Sequence, residues 1–433
     1  MTEAAIPAGP FAPQAHRGDP LMWADFQALC DLGGRLAGSE SESAAVAYAR
    51  ERLAAVPGAQ VREDLVDYPG WRCHAAQLSH AANGASLPCT PLLGTASTAG
   101  ITAEVLDLGA GRAEDFEHHA KEIPGRFALV QHEYPFATGH VHRRIKLGWT
   151  QQHGAAGFLI AHPGQGVGPV SGSTGRSGGA GVPALGISAE AADALRRSPD
   201  GTLARARMII EGEDHPAQTR MVIADLPGRS RSWIVVSAHV DGHPHGESAI
   251  DNATGVAVAL GVARRIAPRI AECAQGLRIC LFSAEEWGLV GSRLWLDRMD
   301  ESARGSMAMN INLDSVAGAS GLTALTSGFE RLDAWVRDFA VRTAQPVETH
   351  LPLMANSDHA NFAAHGIPAL RLLAGFNMPE SNLRYVLTGA DTRDKVRPQE
   401  LDLALEIASM LAWQALNLPG AKLAELAAGP TQS

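Results

Sequence analysis

Acidic and imidazole side chains follow three apolar runs in the middle of the 433-residue sequence. The runs cover residues 234–238, 277–282 and 309–313, and their length and apolar, β-branched content predict buried strands. The side chains that follow these runs are His239, Asp241, Glu285, Glu286 and Asp314. Because ligands bind at the carboxyl edge of an open α/β sheet, we expect these groups to lie together. Asp251 precedes a helix predicted from Val256 to Ile266 and should reach the same edge.

Histidine and carboxylate groups in this combination suit a divalent metal of borderline hardness. Zn²⁺ is the first expectation, with Mn²⁺ or Co²⁺ as the alternatives. So many carboxylates at one sheet edge would repel each other unless a cation neutralises them or their pKa values rise. Each of these residues alone could be a solvated loop residue, whereas their order after successive strands favours a metal site.

The same stretches resemble the co-catalytic zinc aminopeptidases, a group that also includes glutamate carboxypeptidase and the glutaminyl cyclases. The resemblance covers roughly the last half of the chain and keeps the order of the family's motifs. The matching stretches are His-Val-Asp at 239–241, Ala-Ile-Asp-Asn-Ala-Thr-Gly at 249–255, Glu-Glu-Trp-Gly-Leu-Val-Gly-Ser at 285–292, Asn-Leu-Asp at 312–314 and Ser-Asp-His-Ala-Asn-Phe at 357–362.

Four metal ligands are implied by this resemblance. Asp251 would bridge two metals, and His239 and Asp314 would complete one of the two sites. Glu286 would serve the other site. A carboxylate that bridges two ions about 3.5–4 Å apart stabilises both the attacking and the departing oxygen.

Two further residues take catalytic roles under the resemblance. Glu285 would be the general base, and Asp241 would orient His239. We therefore expect a metal-dependent hydrolase of amide or peptide bonds, most simply an aminopeptidase or a hydrolase of small peptides and amides. A deaminase or another non-peptide C–N hydrolase on the same fold is the alternative. A non-catalytic binding protein is less favoured, because such a protein needs the ligand Glu286 but no base beside it.

Two positions depart from the family's pattern. Leu387 stands where two-metal members have their last histidine, and Met354 stands where some members have a tyrosine that assists the oxyanion. We therefore expect one tightly bound metal and a second, weaker site. His359 or His350 would complete the weaker site, and Asp358 would either bind the metal or orient a ligand.

Two groups of basic side chains have open roles. Each group either contacts substrate or belongs to the solvated surface, and the surface interpretation is the more frequent one for such residues. The groups are His243 and His245 in the loop after Asp241, and His140, His142, Arg143 and Arg144, which could reach a substrate carboxylate.

Alternating strand and helix patterns predict an α/β fold. We expect a three-layer α/β/α catalytic domain with a mixed, mostly parallel sheet, formed by residues 21–87 and 221–425. Short apolar runs separated by glycines predict a strand-rich insert over residues 88–220. This insert resembles the protease-associated domain at 125–130, 154–160 and 182–188. Residues 1–20 read as a flexible arm and 426–433 as a tail.

The composition limits which binding partners and which cellular compartment we expect. A formal net charge of −10 gives no basic footprint for nucleic acid, and no apolar run suits a signal peptide or a membrane span. Five cysteines are an odd number without the close pairing of a redox or zinc motif, which favours reduced thiols in the cytoplasm. We expect a small peptide or amide as substrate, with a homo-oligomer left open.

Overall fold

The structure, a computed structural model, describes residues 19–175, 181–196 and 201–427. Most of the predicted N-terminal arm and most of the predicted tail lie outside the described residues. The strands are β1 (Gln60–His80), β2 (Ser86–Leu87), β3 (Cys89–Pro91), β4 (Thr98–Asp107), β5 (Phe127–Gln131), β6 (Gly157–Ala161), β7 (Ala184–Ile187), β8 (Arg205–Leu226), β9 (Trp233–His239), β10 (Gly276–Phe282), β11 (Met307–Leu313), β12 (Leu322–Leu325), β13 (Val347–His350) and β14 (Ala369–Ala374). The helices are α1 (Pro20–Asp31), α2 (Glu40–Ala54), α3 (Ala113–His118), α4 (Arg143–Gln152), α5 (Ala189–Arg196), α6 (Thr254–Ile266), α7 (Val290–Asp297), α8 (Glu301–Gly305), α9 (Glu330–Thr343), α10 (His359–Ala364), α11 (Pro398–Asn417) and α12 (Gly420–Ala427).

The catalytic region is built on a mixed sheet whose central strands are parallel. Its strand order is β13-β12-β14-β11-β9-β10-β8. The neighbours β14, β11, β9 and β10 all run parallel, whereas β12 is antiparallel to β14 and β8 is antiparallel to β10. This confirms the predicted mixed, mostly parallel sheet.

Helices cover both faces of this sheet. Along β9, Ile234 and Val236 belong to the same buried cluster as α6 and α11. Val235, which lies between them, belongs to a second cluster with Trp295 of α7 and Phe362 of α10. Successive residues of a strand point to opposite faces, so β9 is apolar throughout because both of its faces are buried. The predicted three layers are therefore present.

The insert forms its own sheet, which is joined to the catalytic sheet through two long strands. Strands β4, β5, β6 and β7 are parallel neighbours, and β3 closes the far edge antiparallel to β7. Strand β8 pairs with β4 near Ala206 and with β10 near Ile223, so it belongs to both sheets. Strand β1 runs antiparallel to β8 from Gln60 to His80. The predicted boundary at residue 220 falls inside β8.

Candidate active site

The carboxyl ends of β9, β10 and β11 bring the predicted site residues together. His239 is the last residue of β9, Glu285 and Glu286 follow β10, and Asp314 follows β11. One ligand atom from each of His239, Asp251 and Glu286 lies within 4.8 Å of the others, and the same holds for His239, Glu285 and Asp314. His239 belongs to both groups, so the two groups form one continuous cluster.

The His239 ring is oriented by a backbone carbonyl. Its Nδ1 donates a hydrogen bond of 3.1 Å to the carbonyl oxygen of Asp241, which can only accept. In the neutral ring Nε2 is then unprotonated and available as a ligand. Nε2 lies 3.0 Å from Asp251 Oδ1 and 3.6 Å from Asp314 Oδ1. The backbone carbonyl of Asp241 therefore orients the ring, and the Asp241 carboxylate lies beside the same nitrogen, with Oδ1 3.6 Å from Nδ1.

The Asp241 carboxylate fixes the two glutamates. It accepts hydrogen bonds of 3.2 Å from the backbone N–H groups of Glu285 and Glu286, and its Oδ1 lies 3.6 Å from His239 Nδ1. Burial raises the pKa of Glu285 well above its usual value, and the nearby Glu286 carboxylate adds to this shift against the opposing effect of His239. A carboxyl group with a raised pKa can hold and release a proton near neutral pH.

The loop of Asp251 is held by the C-terminal part of the chain. The backbone N–H groups of Ile250 and Asp251 donate to the Asp391 carboxylate at 2.8 and 3.1 Å. Asn252 donates from its side chain to the Leu313 carbonyl at 2.9 Å, which connects this loop to the end of β11. Asp391 lies in the segment that supplies the last histidine in two-metal relatives, so here that segment positions a ligand.

Asp314 is paired with a buried arginine. Arg371 on β14 places Nη2 3.2 Å from Asp314 Oδ2 and is itself about 1% exposed. Burial would raise the pKa of Asp314, but Arg371 and His239 together hold it below its usual value. Asp314 is therefore a carboxylate at neutral pH, as a metal ligand must be.

Three residues that we considered as replacement ligands lie apart from the cluster. Among the described residues, no carboxylate oxygen lies within 4.0 Å of the His359 ring, although this ring is fully buried. The Asp358 carboxylate accepts a hydrogen bond from Ser292, and burial raises its pKa to about 7. The ring of His350 packs on Phe376 with centroids 4.7 Å apart. The structure thus brings none of the three into either ligand group.

A residue that we left open lies in the cluster instead. The His243 ring is about 2% exposed, and its Nε2 lies 2.8 Å from Glu286 Oε1 and 3.9 Å from Asp251 Oδ2. Burial lowers the pKa of His243 to about 4, so the ring is neutral at pH 7. His245 points elsewhere and lies 3.1 Å from the Thr90 hydroxyl. The only sequence signal for His243 was its position two residues after Asp241.

The insert forms one wall of a narrow cleft above this cluster. Its lining residues include Phe136, His142, Arg143 and Arg144 from the insert together with Asp251, Glu285, Glu286, Asp314, Arg371 and Leu387. Arg143 donates to the Ser173 carbonyl at 3.1 Å, and Arg144 donates to the Ser173 hydroxyl at 2.8 Å. His140, the fourth basic residue that we considered, lines a separate cavity. Three of these four basic residues thus line the cleft.

The donor set fits a divalent metal. His239 Nε2 and Glu286 Oε1 are buried without a hydrogen-bond partner among the described residues. Buried polar atoms are normally paired, because an unpaired one loses its hydration without compensation. Two imidazoles and several carboxylates within a few ångströms are the ligands that zinc takes. Leu387 and Met354 offer no such donor, as the sequence indicated.

Known proteins share these features. Residues 221–412 match the family model described as Peptidase family M28, and residues 95–195 match the model described as PA domain. The chain is 24% identical over 327 residues to aminopeptidase YwaD of Bacillus subtilis (strain 168), covering 73% of this chain and 68% of that protein. It is 27% identical over 204 residues to the probable lipoprotein aminopeptidase LpqL of Mycobacterium tuberculosis, covering 42% of this chain and 39% of that protein.

Solved structures show the same fold. A zinc aminopeptidase of Bacillus subtilis, BSAP, aligns with a TM-score of 0.73 at 21% identity over 92% of this chain and 95% of its own. A peptidase M28 precursor of Shewanella amazonensis aligns with a TM-score of 0.76 at 22% identity over 92% and 94%. Among the described residues, the helices are too short or too polar to cross a membrane. The match of residues 221–412 to the peptidase family M28 model, the PA domain match and the clustered metal ligands together indicate a metal-dependent peptide hydrolase.

Proposed function

We propose that the chain is an aminopeptidase that releases the N-terminal residue of short peptides. The proposed resident metal is zinc, held by His239, Asp251, Glu286 and Asp314. The observation that carries the proposal is the placement of Glu285, a buried carboxylate with a raised pKa beside these ligands. The two relatives described above are named as aminopeptidases, which supports this choice.

The chemistry divides between the metal and Glu285. When bound, zinc supplies a Lewis acid that polarises the scissile carbonyl and lowers the pKa of water to about 7. Glu285 accepts a proton from the attacking water and later transfers it to the leaving amine. Asp241 holds the backbone of Glu285 at 3.2 Å, so the carboxylate is positioned before substrate binds.

Two basic residues of the insert favour a particular class of substrate. Arg144 Nε is buried without a hydrogen-bond partner, and among the described residues no carboxylate oxygen lies within 4.0 Å of the Arg143 or Arg144 guanidinium. Burial lowers the pKa of Arg143 to about 10, so both side chains stay charged at pH 7. Arg143 is buried and Arg144 is partly buried, and Glu285 and Glu286 attract both charges without forming an ion pair with either. Two such cations favour an anionic ligand. We propose that they bind the C-terminal carboxylate of a di- or tripeptide.

The compartment is proposed from the thiols. All five cysteines are free, and three of them, Cys30, Cys273 and Cys280, are buried. Burial raises the pKa of the Cys280 thiol above its usual value, which makes this thiol unreactive. Such thiols need no oxidising environment, which supports a cytoplasmic location.

Glu285→Gln tests the proposed mechanism. The variant should retain its metal and its thermal midpoint while kcat on aminoacyl anilides falls by ~10²–10⁴, because the amide cannot accept a proton. Glu348→Gln, at an exposed position on β13, is the matched control and should keep wild-type kcat. Loss of metal together with activity would make Glu285 a ligand, and unchanged kcat would remove it from the reaction.

A further inference from the structure

We infer that His243 completes a second metal site together with Asp251 and Glu286. The sequence predicted a weak second site because Leu387 has no donor atom, which left two carboxylates as its motif-matched ligands. His243 supplies an imidazole at this place from a different element, the loop between β9 and α6. The inference concerns the site of the proposed function, but it rests on metal binding and not on catalysis.

The His243 ring lies in a buried environment that leaves its nitrogens unpaired. Both ring nitrogens are buried without a hydrogen-bond partner among the described residues. Nε2 lies 2.8 Å from Glu286 Oε1, but without the alignment of a hydrogen bond. In the tautomer that is protonated on Nδ1, the Nε2 lone pair faces the Glu286 oxygen, and the two repel each other. A cation bound by both atoms removes this repulsion and satisfies both.

Residues distant in the sequence hold the loop of His243 in place. Arg35, which is about 1% exposed, donates to the carbonyl oxygens of Val240, Glu247 and Ser248 at 3.2, 2.7 and 2.8 Å. These contacts fix both ends of the loop. Within it, the His243 N–H donates to the Ser248 hydroxyl at 3.0 Å. A ligand on a loop fixed in this way loses little conformational entropy when it binds a metal.

Residues 34–35 pack closely beneath the loop that carries His243. A Cβ on Gly34 would lie 2.3 Å from the His243 carbonyl oxygen, so only glycine allows the loop to approach this closely. The backbone of Arg35 adds a further contact, since its carbonyl accepts from the Gly242 N–H at 2.9 Å. Residues 34–35 thus place His243 over Glu286, and this explains why a ring in a loop is buried.

With His243, both proposed metal sites have the same number of protein ligands. His243 Nε2 lies 2.8 Å from Glu286 and 3.9 Å from Asp251, so with His243 the second site would have the three protein ligands that a catalytic zinc usually has. Asp251, His239 and Asp314 give the first site the same number. The geometry therefore points to two tightly bound metals per chain, with the imidazole that relatives take from the C-terminal segment supplied by the loop after β9.

Metal counting tests the inference. Zinc-loaded protein is dialysed against metal-free buffer, and zinc is measured by mass spectrometry against protein concentration. The wild type should retain two equivalents and His243→Ala one. His245→Ala is the matched control, since this ring lies in the same loop but contacts Thr90, and it should retain two. His359→Ala should also retain two.

A second readout is independent of enzymatic activity. Cobalt titrated into the metal-free protein should give visible absorption that saturates at two equivalents in the wild type and at one in His243→Ala. If His243→Ala does not fold, as judged by circular dichroism, His243→Gln provides the same comparison with a larger side chain. One equivalent in the wild type, or two retained by a folded His243 variant, would overturn the inference. Activity of Glu285→Gln does not enter this result, so failure of the proposed mechanism would be seen separately.

Discussion

The Arg35 guanidinium donates a hydrogen bond of 2.8 Å to the carbonyl oxygen of Ser248, which lies more than two hundred positions away in the sequence. The same group also donates to carbonyl oxygens of Leu29 and Gly33 within its own segment. Among the described residues no carboxylate oxygen lies within 4.0 Å of this guanidinium, so its charge is satisfied by backbone oxygens. The N-terminal segment is therefore part of the active site's framework.

Arg35→Lys should destabilise the protein although it keeps the charge. A lysine ammonium has three donors and cannot reproduce the fork that reaches several carbonyl oxygens at once. We expect the free energy of unfolding to fall by about 3 kcal/mol, since each buried hydrogen bond from a charged donor contributes ~1.5–3 kcal/mol. Urea unfolding measures this change, and Arg50→Lys at an exposed position should leave the midpoint unchanged. Equal stability of Arg35→Lys and wild type would show that the fork is not needed.

Arg144→Gln should weaken the binding of substrates with a free carboxylate. Loss of a charged hydrogen bond of ~1.5–3 kcal/mol corresponds to a rise in KM of about 10- to 100-fold. The measurement compares a dipeptide with its C-terminal amide, for which KM should change less than about twofold. Arg207→Gln, at an exposed arginine of β8, should affect neither substrate. An equal loss on the acid and the amide would assign Arg144 a role other than carboxylate recognition.

Gly291→Ala should displace the segment that carries the two glutamates. A Cβ on Gly291 would lie 1.8 Å from the Ser283 carbonyl oxygen, so either α7 or the end of β10 must shift. Overpacking of this kind costs about 1–3 kcal/mol, and we expect kcat/KM to fall more than about tenfold. In Gly305→Ala the new Cβ meets nothing within 4 Å, so this helical control should keep or gain stability. Wild-type kcat/KM in Gly291→Ala would show that the glutamates tolerate the shift.

His142 should contribute to loss of stability in acid. Burial, with Arg143 and Arg144 nearby, lowers the pKa of its ring to about 2 in the folded protein, whereas the usual value is 6.5. As the pH falls below 6.5, the unfolded chain takes up a proton at this ring and the folded chain does not, so stability decreases. The decrease amounts to about 1.4 kcal/mol per pH unit below 6.5, or about 2 kcal/mol at pH 5.

His142→Gln removes this titration and keeps a polar side chain at the position. Urea unfolding at pH 7 and pH 5 should show a smaller loss of stability for the variant than for the wild type, by about 2 kcal/mol. Parallel pH profiles for the two proteins would show that the ring is protonated in the folded state as well.

Local sequence patterns predicted the central strands well. The runs 234–238 and 277–282 lie within β9 and β10, because a strand buried on both faces must be apolar throughout. The side chains after these strands were predicted to meet, and they do, because parallel neighbours end at the same edge. These features depend on residues close together in the sequence.

Features that depend on distant residues could not be predicted in this way. His243 is buried because Gly34 and Arg35 pack under its loop, and nothing near His243 in the sequence indicates this contact. The full length of strand β1 is not evident from its sequence either, because its later part is half exposed and forms through pairing with β8. The proposed number of metals therefore depends on a contact that local sequence patterns do not contain.

The continuous pairing of β1 with β8 also sets the order in which the chain can fold. Its outer end joins His80 to Ala206, and its inner end joins Gln60 to Asp225, so the loop that this ladder closes spans residues 81–205 and contains most of the insert. A flexible loop of that length is slow to close, whereas a folded insert brings its two ends close together and leaves a short distance to bridge. Pairing of β1 with β8 should then proceed from His80 toward Gln60, so that the edge of the catalytic sheet forms last. We therefore expect the insert to act as a folding nucleus, so variants that slow its folding should delay recovery of activity after dilution from urea.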